Sequence, residues 1–425
     1  MRILLVTEDI PVPTPGGAGK HAVLLGNSLI AAGHEVELLG RVRAPGVEGN
    51  SDFAGPLHCN ISLRGTGWQE HRFGAFLPGR RNHIGRRIWR AVRALGVERF
   101  DVIHYHGHHS AVGACVPASV NFVQTLHDQG SECITMTRFK NGQPCDAIDP
   151  RACASCATSR PNRLQTAISA AAVRRLRATS VKAFSKHETI FVSNFLERRF
   201  REHVQPTAAL KSQVVHNFTD AAAMRQALAA ATPPARATQR PVALVVGRID
   251  RTKGMAALLA ALSQALVERF QWRIVGDGPA RRELEAEHKH KGIEFVGFLP
   301  QQRVYAETAA ATVCVVPSLW EEAFGTTTLE ALALGRPVFA LRRGATPELA
   351  RYGRYAGQLA LSESIEELVA AIGAASVESA PRPTGVDDMA DVLRRIPAIV
   401  DVYRRAAGSL RGSPEDVAAV SSSKP

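Results

Sequence analysis

Two glutamates in the carboxyl-terminal third of the chain have the spacing and the setting of a ligand site. Glu322 and Glu330 flank the start of a predicted short helix that ends at Gly335, and the apolar run Thr312–Val316 precedes them as a predicted strand. Loops at the carboxyl edge of a parallel sheet are where α/β proteins bind ligands, and backbone amides at a helix start attract anions. Carboxylates that accept hydroxyl groups beside such a helix start suit a sugar nucleotide.

The same residues also permit a purely structural interpretation. Thr327 and Glu330 fit a capping box, in which the glutamate only satisfies an amide at the start of the helix. Glu322 is then an ordinary solvated loop residue. Residues elsewhere in the chain are needed to choose between the two interpretations.

Two cations five residues apart follow another predicted strand. Arg248 and Lys253 come after the run Val242–Val246 and the turn residue Gly247. Arginine offers a planar fork of donors and lysine a compact charge, and both suit phosphate oxygens. If the reaction expels a nucleoside diphosphate, these cations stabilise the charge that develops on it. The alternative is a solvated loop between strand and helix.

Three further glycine-containing turns follow predicted strands. Gly276-Asp277-Gly278 lets the backbone approach a ligand closely, and the amides around Gly297-Phe298 could hold a base. In the first half, Gly16-Gly17-Ala18-Gly19 precedes the first helix and forms a glycine-lined anion site. This turn lacks the full GxGxxG pattern with a downstream acid, so dinucleotide binding is not supported.

Short apolar runs alternate with helical patterns in both halves, which favours an α/β fold of two doubly wound domains with parallel sheets. The facing crevice of the two domains is then the natural site. Prominent helices are predicted at Ala18–Ala32 and Arg163–Ala178. The remaining predicted strands are Ile3–Thr7, Glu35–Leu39, Val102–His106, Phe122–Leu126, Thr189–Val192, Trp272–Val275, Ile293–Val296 and Val338–Leu341.

Composition is that of a globular protein with room for two cores. The chain has 425 residues, with 45% hydrophobic and 21% charged residues. It contains no run of about 18 apolar residues, which predicts no membrane span. The first residues read as a buried strand and lack the features of a signal peptide, so a cytoplasmic location is expected.

The net charge is +13, and one predicted helix is strongly basic. Seven arginines and one acid lie between Arg80 and Arg99, and apolar residues interleave with them at near-helical spacing. Such a helix either lies peripherally on an anionic membrane surface or is an arginine-rich solvated face on an ordinary core helix. No nucleic-acid-binding motif accompanies the charge, so nucleic acid is not an expected partner.

Histidines cluster at the end of one predicted strand and in the loop after it. Alternation places His104 and His106 on the same side of the strand, and His108 and His109 follow. The alternatives are a metal site, an acceptor pocket lined by His106, and ordinary packing.

Four of the seven cysteines fall between residues 133 and 156: Cys133, Cys145, Cys153 and Cys156. The spacing of Cys153 and Cys156 is that of a zinc knuckle. A cytosolic location disfavours stable disulfides. Cys133 and Cys145, with eleven residues between them, lack that spacing, so a structural zinc site, reduced thiols and an iron–sulfur cluster are the alternatives for this loop.

Taken in order, the motifs resemble the retaining GT-B glycosyltransferases of family 4. The resemblance covers about residues 1 to 405 and rests on motifs in the family's order: Gly16-Gly17-Ala18-Gly19, Gly247-Arg248 with Lys253-Gly254, Gly276-Asp277-Gly278-Pro279, and Glu322-Ala323-Phe324-Gly325 with Glu330. It implies a GT-B fold, two Rossmann-like domains facing a central cleft. It also implies transfer from a nucleotide sugar without a divalent metal and with retention of configuration, by front-face attack.

The resemblance also implies roles for residues of the second half. Arg248 and Lys253 match the pair that binds the donor diphosphate, and Glu330 matches the glutamate that holds the ribose hydroxyls. Glu322 matches the contact to the donor sugar. Further donor-binding residues on the same basis are Gly247, Gly276, Asp277, Gly278, Phe298, Phe324, Gly325 and Thr326.

In the first half, Gly16 and Gly17 match the loop that closes over the phosphates. His127, which follows the predicted strand Phe122–Leu126, matches the histidine near the reacting sugar. Together with Arg248, Lys253 and Glu322 it forms the expected catalytic set. His106 is placed on the acceptor side.

The chain is thus predicted to move a sugar from a UDP or GDP sugar to a hydroxyl of a lipid-linked or saccharide acceptor, as in polysaccharide biosynthesis. The alternatives are a catalytically silent sugar-nucleotide-binding subunit and a GT-B epimerase or phosphorylase. The predicted domains are an acceptor-side domain at 1–218 with a cysteine-bearing loop at 128–160, a linker at 219–240, a nucleotide-sugar-binding domain at 241–395, a helix at 396–408 that returns to the first domain, and a flexible tail at 409–425.

Overall fold

A computed structural model describes residues 1–8, 17–41, 52–63, 74–204, 209–230, 240–288, 292–376 and 385–408. Three predicted features lie wholly or partly outside these ranges. They are Gly16 of the first glycine turn, residues 231–239 of the predicted linker, and the tail at 409–425.

Strands and helices alternate along most of the chain. The strands are β1 Arg2–Thr7, β2 Glu35–Arg41, β3 Leu57–Ile61, β4 Val102–His106, β5 Phe122–Leu126, β6 Phe139–Lys140, β7 Gln143–Pro144, β8 Glu188–Phe191, β9 Ser212–Val214, β10 Val242–Val246, β11 Gln271–Val275, β12 Ile293–Gly297, β13 Val313–Val316, β14 Val338–Leu341 and β15 Leu359–Ser362. The α-helices are α1 Gly17–Ala31, α2 Arg80–Arg93, α3 Ala111–Cys115, α4 Ala154–Ala157, α5 Arg163–Lys186, α6 Asn194–His203, α7 Ala221–Ala230, α8 Met255–Ala261, α9 Gln264–Arg269, α10 Arg281–His288, α11 Gln301–Ala310, α12 Thr326–Ala333, α13 Ile365–Ala374 and α14 Ile396–Gly408.

The first of two compact units contains residues 1–137, 146–216 and 395–425. Its sheet is parallel throughout, with strand order β3-β2-β1-β4-β5-β8-β9. The inner strands β1, β4 and β5 are buried along almost their whole length, because helices cover both faces of a parallel sheet. Strand order reverses between β1 and β4, which makes the carboxyl edge there a topological switch point.

Helix α14, at the end of the described chain, packs in this first unit against β4, β5 and β8. Its Tyr403 is fully buried, and the phenol oxygen lies 2.7 Å from Nδ1 of His104 on β4. A buried hydroxyl and a buried ring nitrogen thereby satisfy one another. The last helix is thus tied to the central strands of the first sheet.

The second unit contains residues 217–394 together with the short β6–β7 hairpin at 138–145. Its parallel sheet has the order β12-β11-β10-β13-β14-β15, which reverses between β10 and β13. Trp272 and Phe270 are fully buried in its core, where large aromatic side chains supply much of the hydrophobic stabilisation.

The segment 219–240, predicted to be a linker, contains a helix. Helix α7 packs against α11, and its Met224 and Ala227 are buried against Tyr305 and Leu334. The alanine-rich part of the segment has high helix propensity and one apolar face, so it folds onto the second unit. The prediction of a linker is therefore wrong for residues 221–230.

The prediction of an α/β fold with two doubly wound, Rossmann-like units of parallel strands is confirmed. Within the ranges that the structure describes, no helix has the length and apolarity needed to span a bilayer.

Candidate functional site

The predicted donor-binding residues of the second unit gather at one edge of its sheet. The loops after β10 and β13 both leave the carboxyl edge of the sheet, and these two strands are neighbours at the switch point. Open α/β sheets bind ligands in the crevice outside such a point. Arg248 and Lys253 lie in the first loop and Glu322 lies in the second.

Asp250 organises the loop that carries the two cations. Its Oδ1 accepts hydrogen bonds from the backbone N–H groups of Thr252 (2.8 Å) and Lys253 (3.3 Å), and its Oδ2 accepts one from Nε of Arg248 (2.5 Å). Burial raises the pKa of Asp250, but hydrogen bonds from Thr252 and the charge of Arg248 outweigh it and leave the pKa lowered. The sequence analysis did not assign this residue a role.

A close approach of the two loops depends on glycine. Gly254 has φ of 69°, and a Cβ atom there would lie 1.9 Å from the carbonyl oxygen of Pro317. The backbone N–H of Leu319 donates to the carbonyl oxygen of Thr252 at 2.9 Å. Any side chain at position 254 would push the loops apart, since both the conformation and the space exclude it.

Lys253 and Glu322 form the central charged pair of this edge. Nζ of Lys253 lies 2.6 Å from Oε1 of Glu322, and the Ser318 hydroxyl donates to the same oxygen at 2.6 Å. The lysine Nζ also lies 4.9 Å from the centroid of the Trp320 ring, within cation–π range. Burial raises the pKa of the Glu322 carboxyl, but the lysine charge and these hydrogen bonds reverse the effect and lower it. Glu322 is therefore a carboxylate and not a solvated loop residue.

Helix α12 begins at Thr326 without a side-chain cap. Gly325, with φ of 94°, is its N-cap residue, and Thr326 is exposed. The capping-box interpretation of Thr327 and Glu330 is wrong, because Thr327 already lies inside the helix. The first-turn amides thus have no capping side chain, and their partial positive charge faces the site.

Glu330 is held by a residue from another helix. Nε2 of Gln301, the first residue of α11, donates to Oε1 of Glu330 at 3.0 Å. This contact fixes the carboxylate of the predicted ribose-binding residue. No sequence motif had marked Gln301.

The remaining glycine turns also lie at this edge. Gly276 has φ of 140°, and a Cβ atom there would lie 1.9 Å from the carbonyl oxygen of Gly247. Asp277 accepts a hydrogen bond from the N–H of Gly278 at 2.7 Å. Phe298, after the edge strand β12, keeps 45% of its surface exposed, so its ring is accessible to a ligand.

Phe324 differs from Phe298, since it is 2% exposed. Its ring belongs to the interior, and a contact between its backbone and the donor sugar stays a prediction.

In the first unit, predicted site residues lie at the carboxyl ends of β4 and β5. His106 ends β4 and is fully buried, and His127 directly follows β5. Nδ1 of His106 lies 3.2 Å from Nε2 of His127. His104 lies on the same side of β4 as His106, with ring centroids 4.0 Å apart, as alternation along the strand predicts.

A third histidine, His21 on α1, joins this pair. Its ring centroid lies 5.2 Å from that of His106 and 4.6 Å from that of His127. Sequence reasoning missed His21, because it lies far from the others along the chain and in no motif. Gly17, predicted to contact phosphates, is the exposed first residue of the same helix.

All three imidazoles are neutral near pH 7. Burial lowers the pKa values of His21 and His106 well below the usual range, and neighbouring histidines lower them further. Burial also lowers the pKa of His127 to about 4, assisted by the charge of His108. Each ring therefore offers one N–H donor and one lone pair.

The four cysteines that lie close together in sequence are divided between the two units. Cys133, Cys153 and Cys156 belong to the first unit and Cys145 to the second. Cys153 and Cys156 pack against a hydrophobic cluster that includes Phe76, and Sγ of Cys133 lies 3.2 Å from the Thr135 hydroxyl. Among the described residues, the one set of three or more potential ligands with all donor atoms within 4.8 Å is His21, His106 and His127. The cysteines of the first unit form no preassembled zinc site, and zinc in this loop stays a prediction.

The basic helix α2 is a core helix with a charged outer face. Ile84, Ile88 and Val92 are buried in the core of the first sheet, so this apolar face is not available to a bilayer. Arg81 is buried as well, and its Nη2 donates to the carbonyl oxygen of Ile134 at 2.6 Å. An outer row of arginines remains exposed: Arg86, Arg90 and Arg93. The helix can therefore meet an anionic surface through charge alone.

Two family models match the chain. Residues 15–223 match the model "Glycosyltransferase Family 4", and residues 240–376 match "Glycosyl transferases group 1". Together the two matches account for most of the chain.

Individual relatives are similar over different lengths. The chain is 26% identical to a glycogen synthase of Mycobacterium tuberculosis over 367 residues, which cover 82% of this chain and 80% of that enzyme. It is 36% identical to a 2-deoxystreptamine glucosyltransferase of Streptomyces kanamyceticus over 106 residues, which cover 24% of this chain and 27% of that enzyme.

A solved structure shares the fold. It is that of Anabaena Alr3699/HepE in complex with UDP and glucose, which superposes with a TM-score of 0.58 at 17% identity and covers 96% of this chain and 99% of that one. The fold is thus that of GT-B glycosyltransferases. With both family models in the expected halves of the chain, we conclude that the protein belongs to the family 4, group 1 glycosyltransferases.

Proposed function

We propose that this glycosyltransferase moves a sugar from a UDP or GDP sugar to a hydroxyl group of a lipid-linked or saccharide acceptor, with retention of configuration. The observation that carries the proposal is the Lys253–Glu322 pair, which lies next to the uncapped start of α12 at the switch point of the second sheet. An ammonium group and helix amides suit a diphosphate, and buried carboxylates suit sugar hydroxyls.

In the proposed reaction, the bond between the anomeric carbon and the diphosphate oxygen breaks while the acceptor oxygen attacks from the same face. The acceptor proton passes to the departing diphosphate, and no covalent enzyme intermediate forms. Arg248, Lys253 and the first amides of α12 stabilise the negative charge that develops on the leaving group.

The two cationic side chains differ in solvent exposure. Arg248 has 65% of its side chain exposed, and Lys253 has 24%. We assign Lys253 to a fixed phosphate position. Arg248 can swing from Asp250 to the outer phosphate oxygens as the donor enters.

The other proposed contacts to the donor follow from the positions of residues at the carboxyl edge of the second sheet. Glu330, held by Gln301, accepts the ribose hydroxyls, and Glu322 with the backbone of Phe324 and Gly325 holds the donor sugar. The turns around Gly247, Gly276, Asp277 and Gly278 let the backbone approach the nucleotide. Phe298 is proposed to contact the base, and Thr326 is proposed to contact the phosphates. For the first unit the roles rest on the family resemblance: Gly17 serves the phosphates together with Gly16, which lies outside the described residues, His127 serves the sugar and His106 the acceptor.

These positive groups take the place of a divalent metal, and we propose that transfer requires none. A chelator should therefore not lower the rate of transfer. Loss of activity on chelation, restored by Mg²⁺ or Mn²⁺, would contradict this part of the proposal.

The positive charge of the protein favours a lipid-linked acceptor. The net charge is +13, and the exposed arginines of α2 form one basic row. Each cation near an anionic membrane contributes about 1 kcal/mol to binding. We propose that the enzyme works at the cytoplasmic membrane surface in polysaccharide assembly. Co-sedimentation with anionic vesicles at low salt tests this location. Absence of binding would contradict the proposal that the enzyme works at the membrane surface.

Transfer itself is tested with labelled UDP and GDP sugars and a panel of lipid-linked and saccharide acceptors. Acceptor-dependent release of the nucleoside diphosphate, with a product of unchanged anomeric configuration, supports the proposal. Lys253→Ala and Glu330→Gln should each reduce the rate at least about tenfold. Donor binding without consumption indicates a silent subunit, and isomerised donor without diphosphate release indicates an epimerase. Turnover that depends on inorganic phosphate indicates a phosphorylase.

A further inference from the structure

Three histidines from three different elements converge at the carboxyl edge of the first sheet. His21 comes from the first turns of α1, His106 from the end of β4 and His127 from the residue after β5. One ring nitrogen from each lies within 4.8 Å of the other two. Strands β1 and β4 meet here at the switch point of this sheet, so the cluster occupies a typical ligand position.

We propose that His21, His106 and His127 bind a divalent transition-metal ion, with Zn²⁺ as the best fit, and leave one coordination position open. Tetrahedral zinc with Zn–N bonds of about 2.0–2.1 Å has ligand nitrogens about 3.3 Å apart. Nδ1 of His106 and Nε2 of His127 already lie 3.2 Å apart. His21 is half-buried on the helix, and a ring nitrogen within 4.8 Å of the other two reaches this spacing by a side-chain shift of about 1–2 Å.

A second observation at His106 points to a missing ligand. The residue is fully buried, and its Nε2 has no hydrogen-bond partner among the described residues. A buried polar atom without a partner costs free energy, and rotation of the imidazole about its Cβ–Cγ bond would let Nε2 ligate the ion in place of Nδ1. His104, the neighbour of His106, needs no ligand, because Tyr403 and Thr125 satisfy both of its nitrogens at 2.7 and 2.8 Å.

The chemistry of the donor set selects the metal. Only imidazole nitrogens belong to the group, with no carboxylate oxygen. Imidazole suits Zn²⁺, Co²⁺, Ni²⁺ and Cu²⁺, whereas Mg²⁺ and Ca²⁺ require oxygen ligands.

The site has a consequence for activity that rests on the proposed function. His127 cannot hold the transferred sugar while its nitrogen ligates a metal, so zinc should inhibit transfer. Binding of the metal is independent of that proposal, because it is measured without donor or acceptor.

The test uses the full chain, freed of metal and titrated with Zn²⁺ by calorimetry. Wild-type protein should bind zinc, and His21→Ala and His106→Ala should each weaken this binding at least about tenfold. His83→Ala is the matched control, since it removes an exposed histidine from α2 and should leave binding unchanged. Circular dichroism checks folding, and His21→Ala, at a half-buried position, carries the test if His106→Ala does not fold.

Two further measurements separate the histidines from the cysteines. Cobalt(II) in a tetrahedral nitrogen site should give an intense visible absorption that His21→Ala abolishes. Cys153→Ser/Cys156→Ser should retain one zinc of wild-type affinity together with this absorption. The proposal is overturned if wild-type protein binds no zinc. It also fails if His21→Ala binds zinc as tightly as wild type, or if the cysteine variant loses the only bound zinc.

Discussion

Nζ of Lys253 lies 2.6 Å from Oε1 of Glu322, and the carboxylate, 9% exposed, is the more buried of the two partners. The residues come from loops that follow neighbouring strands of one parallel sheet. The charge pair is therefore assembled by the fold before any ligand arrives, which is a requirement for electrostatic stabilisation of a leaving group.

Removal of the lysine should destabilise the chain as well as impair catalysis. Lys253→Met leaves the Glu322 carboxylate buried without its cationic partner, and we expect a loss of about 3 kcal/mol in the free energy of unfolding. Lys253→Met/Glu322→Gln should regain most of it, because no buried charge is then left unpaired. Urea denaturation of both variants and of Glu322→Gln measures the coupling. If the effects of the two substitutions on the free energy of unfolding are additive, Lys253 and Glu322 are not energetically coupled.

Stability should depend on the ionisation of Glu322 in acid. The pKa of this carboxyl is lowered in the folded chain, so its ionised form stabilises the fold above the unfolded-state pKa of about 4.3. That contribution is lost as the pH falls through the lower folded-state pKa. The free energy of unfolding of wild type should therefore decline more steeply below about pH 4.3 than that of Glu322→Gln. Parallel curves for the two proteins would show that the carboxyl has no lowered pKa.

Gln301 should act as a positioning residue for Glu330. Gln301→Ala removes the 3.0 Å hydrogen bond, so the carboxylate becomes mobile, and we expect KM for the donor to rise about three- to tenfold with a smaller change in kcat. The matched control is Gln264→Ala, which breaks an exposed 2.8 Å contact to Glu268 on α9. If the two variants have equal kinetic constants, Gln301 does not position Glu330.

Gly254 should tolerate no side chain. Gly254→Ala combines a positive φ, which costs about 1–2 kcal/mol, with overlap on the carbonyl oxygen of Pro317. Gly357→Ala is the control for the first effect alone, since Gly357 has φ of 79° and no atom within 4 Å of an added Cβ. Thermal unfolding should show a larger loss for Gly254→Ala, together with lower transfer activity. Similar losses in both variants would mean that the loops do not need their close approach.

Inner strands were predictable from sequence, whereas of the four edge strands of the two large sheets only β12 was. Strands β4, β5 and β10 agree with the prediction to the residue, because each is an apolar run buried on both faces. The prediction missed β3, β9 and β15, which lie at or next to the solvent and carry mixed, half-exposed residues. Their hydrogen-bonding partners, and not their composition, make them strands.

Among the candidate site residues, too, some were predictable from local sequence and others were not. Arg248, Lys253, Glu322 and Glu330 could be found from local motifs, since each belongs to a strand–turn–helix segment with its own signature. The residues that hold or complete them could not, because Gln301 and His21 act through contacts with distant parts of the chain. Asp250 lies within the motif, but its role depends on hydrogen bonds that only the folded loop creates.

The proposed contact between Lys253 and the outer phosphate of the donor is tested most directly by calorimetry with a nucleoside diphosphate and the matching monophosphate. The nucleotide is UDP or GDP, whichever binds wild-type protein. Wild type should bind the diphosphate about 10- to 100-fold more tightly than the monophosphate, and Lys253→Ala should lose most of this preference while binding the monophosphate nearly as well as wild type. An unchanged preference in Lys253→Ala, or no binding of either diphosphate to the wild-type chain, would contradict the account.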